Sequence, residues 1–179
     1  MRRYLTALVD RLSPIRLVVA VLAAAACCAA MQLQSPAPVA AMPAPNDSGA
    51  VLNFAVHQLN KPYRLGATGP RRYDCSGLVY RTFRQEGLAS KIGGERTARG
   101  YYHWFKSRGQ LTRHPQKGDL VAWAHRGKAV SHIGIFDGYN RSGQPMAISA
   151  LINPYGVSRH RVFGINVPLK AYLHVKMTR

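Results

Sequence analysis

Hydrophobic positions divide the chain into three textures. Across residues 17–31 they are continuous, an uncharged run rich in Leu, Val and Ala. Val51, Leu52, Ala55, Val56 and Leu59 then recur at helical spacing, which predicts a helix capped by Asp47 or Ser48 and ended by Asn60-Lys61-Pro62. Leu78, Val79 and Phe83 predict a second helix that opens near Cys75 and stops at Gly87, and a third covers about residues 97–107. After Pro115 the pattern shortens. Residues 120–123, 132–136 and 146–150 read as strands, with 162–167 and 172–177 as two more. Helices followed by strands predict an α+β domain over residues 47–179, its helices packed on a mainly antiparallel sheet.

The N-terminal texture carries a different message. Arg2, Arg3, Arg11 and Arg16 precede the apolar run, and small residues follow it. A basic flank, a short apolar core and small residues describe an export signal over residues 1–33. The run falls short of the roughly 20 residues that span a bilayer comfortably, which favours cleavage, near Ala30 or Ala41, over retention as a membrane tether. The Pro/Ala-rich stretch 34–46 lacks apolar periodicity and reads as a linker. The expected location is therefore secreted or cell-surface.

Cys27 and Cys28 lie inside the export run, with Ala24 three positions before Cys27 where a lipoprotein site favours a larger aliphatic residue. If the signal is removed, Cys75 is the one remaining cysteine, and no intramolecular disulfide can form. The net charge of +18 draws polyanions. Its Arg and Lys residues are scattered, without zinc-finger spacing or an aromatic RNA-binding signature. Nucleic acid is thus not expected as a partner; outside a cell, anionic wall polymers or a membrane surface fit the charge better.

Cys75 sits in Tyr73-Asp74-Cys75-Ser76-Gly77, where a Gly/Pro-rich loop becomes a helix. Free N–H groups and the helix dipole at such a start favour thiolate and can hold an oxyanion. A small buried cysteine is the competing explanation. Among the seven histidines, His132 opens an apolar strand and is placed to aim one polar side chain at a facing helix; His160 is the reserve candidate. HExxH and CxxC pairs, a phosphate-binding glycine loop and Gly-x-Ser-x-Gly are absent from the sequence. Neither a metal nor an organic cofactor is called for.

Lys61 to Pro70, then Tyr73-Asp74-Cys75-Ser76-Gly77-Leu78-Val79, Arg96-Thr97, Gly118-Asp119-Leu120-Val121 and Ser131 to Phe136 together resemble the NlpC/P60 family of cell-wall cysteine peptidases. The resemblance implies a papain-like fold and hydrolysis of peptidoglycan stem peptides, often between D-γ-glutamate and a diamino acid. It implies Cys75 as nucleophile, His132 as general base and acid, and Tyr63, Asp74 and Ser76 at the substrate. Asp74 and Ser76 equally suit a role in fixing the loop before the helix. The chain departs from the family at Leu65-Gly66-Ala67 and at the third polar position, where Ser149 stands in place of the usual histidine. Asn153 and His160 are the alternative orienting residues. A CHAP-type amidase and a catalytically silent wall-binding domain are the rival readings.

Overall fold

The computed structural model describes residues 47–177, and the expected export segment and linker lie outside them. The first helix, α1, is Asp47–Val56, with Val51, Leu52 and Ala55 buried. It ends earlier than the apolar spacing predicts. Gln58 and Leu59 bond back only three residues, to Ala55 and Val56, so the last turn tightens. Asn60 then takes a left-handed φ of 67° before Pro62.

The second helix, α2, is Cys75–Gln85 and buries Leu78, Val79 and Phe83. Asp74 caps it from an extended conformation and accepts the Gly77 N–H at 2.6 Å. Gly87 turns the chain away at a φ of 71°. A single 3-10 turn, Ala89–Ile92, follows. The third helix, α3, is Ala98–Lys106; Thr97 caps it through the Gly100 N–H at 3.1 Å, and Ala98, Tyr101 and Phe105 form its buried stripe.

Six strands follow: β1 (Leu111–Thr112), β2 (Leu120–Trp123), β3 (His132–Tyr139), β4 (Pro145–Leu151), β5 (Gly156–Arg161) and β6 (Leu169–Leu173). They form one antiparallel sheet in the order β1-β6-β2-β3-β4-β5. Gly118, at a φ of 90°, makes the turn into β2. Asp119 fixes that turn by accepting N–H bonds from Gln116 and Val175.

The expected strand at 162–167 is not formed. The fifth strand lies just before it, at Gly156–Arg161, and the final strand lies at Leu169–Leu173 rather than 172–177. Val162, Ile165 and Val167 are apolar because they cover the second face of the sheet from a loop, against Val121, Trp123, Phe136 and Ala147. Burial of that loop mimics the apolar signature of a strand. The opposite face carries Leu120, Ala122, Ile133, Ile135, Ile148 and Ala150, and the three helices pack there. No helix among the described residues is long and apolar enough to cross a membrane.

Candidate active site

Cys75 is the first residue of α2 and only 8% exposed. Its position is fixed by Asp74, whose carboxylate accepts from three groups: the Gly77 N–H, the Ser76 hydroxyl at 3.0 Å and the Gly66 N–H at 2.7 Å. One side chain thus caps the helix and pins the loop before it. Gly77 is required for the same closeness, because a Cβ there would lie 2.2 Å from the Ala67 carbonyl oxygen.

Burial pushes the Cys75 thiol up to about 11, with the Asp74 charge adding to the rise. Backbone N–H groups of Ile133, Ser76 and Cys75 itself pull the other way. The lowering expected from the helix start is therefore present, but desolvation outweighs it. Cys75 is therefore a thiol at neutral pH.

Ile133, whose backbone favours the thiolate, is the neighbour of His132 at the start of β3. His132 Nε2 lies 2.9 Å from Ser149 Oγ on β4. Ser149 is fully buried, and its oxygen also lies 2.8 Å from His160 Nε2 on β5. The far nitrogen of His160, Nδ1, is 3.0 Å from the Arg161 carbonyl. Burial lowers the His132 imidazole to about 4, aided by the nearby His160, and burial lowers His160 as well. Both rings are neutral at pH 7.

Trp123 supports this arrangement from below, its ring 5.1 Å from His132 and 5.9 Å from His160. Its indole donates to the Val162 carbonyl at 2.9 Å, which ties the covering loop to the sheet. Gly134 leaves the space: a Cβ there would come within 2.8 Å of Ser149 Cβ and 2.9 Å of the Ile148 carbonyl.

A cavity of about 810 Å³ brings Cys75, His132, His160 and Tyr63 together, with Asn153, Tyr155 and Arg159 on its walls. Burial raises the Tyr63 phenol, and negative charge at Cys75 and Asp74 raises it further, which puts the ring beside Cys75. Asp74 and Ser76 face a second cavity of about 430 Å³, shared with Arg96 and Thr97. Asn153 lines the first cavity, whereas the bonds to Ser149 come from His132 and His160. Trp123 was invisible as a site residue because the sequence marks it only as part of a buried strand. Its signal is its place at the end of β2, opposite His132 in the β2–β3 register. Among the described residues no group of three or more His, Cys, Asp or Glu side chains is placed to hold a metal ion.

Residues 60–164 match the NlpC/P60 family profile. The murein DD-endopeptidase MepH of Escherichia coli is 35% identical over 120 residues, covering 62% of this chain and 42% of the relative. A probable endopeptidase of Corynebacterium glutamicum is 31% identical over 129 residues, covering 72% and 54%. The chain spans about half the length of these curated relatives. NlpC1 from Trichomonas vaginalis superposes with a TM-score of 0.58 at 25% identity over 75% of this chain and 46% of that one. The NlpC/p60 domain of the peptidoglycan hydrolase SagA superposes at 0.53 and 21% identity, over 71% and 97%.

Proposed function

The chain belongs to the NlpC/P60 family, and from that premise we propose that it is a cysteine peptidase that hydrolyses peptidoglycan stem peptides. The observation that carries this reading is one cavity holding a thiol at a helix start and an imidazole whose Nε2 is already hydrogen-bonded. That arrangement frees the other ring nitrogen, Nδ1, for chemistry.

In the proposed reaction, Cys75 sulfur attacks the scissile carbonyl as its proton passes to His132 Nδ1. The carbonyl π-electrons move to oxygen, and backbone N–H groups at the start of α2 stabilise the charge. As the C–N bond breaks, the leaving amine takes the proton from His132 and a thioester remains. Water then attacks the thioester, gives a proton to His132, and the intermediate collapses to a carboxylic acid and the regenerated thiol. Tyr63 bounds the substrate beside the sulfur. Asp74 and Ser76 serve it from the other side of the nucleophile, in addition to their hydrogen bonds within the loop.

The family resemblance favours the bond from D-γ-glutamate to a diamino acid. The name of the Escherichia coli relative supports a second reading, a bond between two D-configured centres in murein. Residues 1–33 carry the chain out of the cytoplasm in this proposal, which puts the site on the same side as its polymer. Digestion of purified peptidoglycan followed by mass spectrometry tests activity and bond together. Wild type is expected to release stem-peptide fragments, and Cys75→Ala to release none. Identical fragment profiles from the two proteins on several wall types would sink the enzyme reading and leave a wall-binding domain.

A further inference from the structure

We propose that His160 is a positioning residue that acts through the Ser149 hydroxyl to hold His132 in the tautomer able to accept the Cys75 proton; this rests on the reading of Cys75 and His132 given above. The direction of every hydrogen bond follows from the far end of the chain of contacts. The Arg161 carbonyl can only accept, so His160 Nδ1, 3.0 Å away, carries a proton and donates it. A neutral His160 then has its lone pair on Nε2. Ser149 Oγ, 2.8 Å from that nitrogen, must point its single proton there. With that proton committed, the oxygen can meet His132 Nε2 at 2.9 Å only as an acceptor. His132 therefore carries its proton on Nε2 and its lone pair on Nδ1.

Serine alone cannot impose this order. A hydroxyl both donates and accepts, so a lone Ser149 is free to turn its proton towards His132 Nε2. That would place the His132 proton on Nδ1 and remove the base. A carboxylate or an amide carbonyl would orient the ring unaided, and here His160 supplies the missing direction. The order also suits the charged state. Once His132 takes the thiol proton, its Nε2–H bond to Ser149 becomes charge-assisted, and the Ser149 bond to His160 polarises with it.

The surroundings hold the relay in one geometry. Ser149 is fully buried, and Ala147 and Ser149 pair with His160 and Ser158 across β4 and β5. The Trp123 ring supports both imidazoles. Burial keeps His160 neutral, which preserves its Nε2 as an acceptor.

Nitrogen-15 NMR of the histidine-labelled full chain at neutral pH reads the tautomers directly, and needs no substrate. The expected result is His160 protonated on Nδ1 and His132 on Nε2. A His160 proton on Nε2, or a His132 proton on Nδ1, overturns the proposal. Variants provide the second measurement, by turnover on peptidoglycan and by the rate of Cys75 alkylation with iodoacetamide. His160→Ala should lower kcat about tenfold with little change in KM, the loss of one hydrogen bond of ordinary net strength. His160→Gln, which can accept through its amide oxygen, should recover most of that loss. In the Ser149→Ala background, His160→Ala should have no further effect. Losses that multiply in the double variant, or equal losses for His160→Gln and His160→Ala, overturn the relay. A chain that shows these tautomers yet cleaves no wall substrate supports the relay and sinks the hydrolase reading.

Discussion

Burial drives Cys75 and His132 towards neutrality from opposite directions, the thiol up to about 11 and the imidazole down to about 4. The proposed reaction needs a single proton shared between them, and that condition holds at every pH between the two values. Its acid limit is the protonation of His132, which removes the base. Because desolvation lowers that step below the ordinary histidine value near 6.5, the loss of activity moves acidward. The profile of kcat/KM against pH is expected to stay level down to about pH 5 and to fall below it. An acid limb centred near 6.5 would mean that His132 is solvated in the working enzyme, or is not the base. The thiol should also alkylate slowly at pH 7, and faster with each step towards alkaline pH.

The helix start and the strand register do separate jobs, and they differ in how plainly the sequence displays them. Tyr73-Asp74-Cys75-Ser76-Gly77 is local: the cap, the thiol at the helix start and the glycine that admits Ala67 are near neighbours, so their placement is legible from residue types. Asp74 sustains both the cap and the Gly66 loop contact. Asp74→Ala should therefore cost about 2 kcal/mol, the upper end for a helix cap. Asp74→Asn, which keeps an acceptor for the Gly77 N–H, should cost less. Chemical denaturation of the two variants checks the order, and equal stability for wild type and Asp74→Ala would show that the cap adds nothing. His132 was legible too, as the one polar opening of an apolar strand. The bridge from Ser149 to His160 was not, because it depends on how β4 and β5 pair. The fifth strand itself was misplaced. Its Ser-Arg-His-Arg stretch looks like a loop, and the apolar residues after it belong to a loop that covers Trp123.

Charge acts at the scale of the whole molecule and bears on where the proposed peptidase would work. Of seven acidic residues, Asp74, Asp119 and Asp137 are buried. Asp74 caps α2, Asp119 accepts from His174 and two backbone N–H groups, and Asp137 pairs with Arg159. Those acids are consumed in holding the fold, so the described residues 47–177 are left with little to balance their 20 Lys and Arg residues. A surface of one sign is expected to attract an anionic polymer. It would do so without a dedicated targeting domain among the described residues. Such attraction is screened by salt, whereas the contacts inside the cavity are not to the same degree. Retention on walls rich in anionic polymer is therefore expected to drop from low salt to about 0.5 M, where the Debye length is roughly 4 Å. Turnover on a small soluble stem peptide should change far less over the same range. Pelleting assays and peptide kinetics on the same preparation separate the two effects. Salt-independent retention would shift wall affinity from the charged surface to the cleft itself.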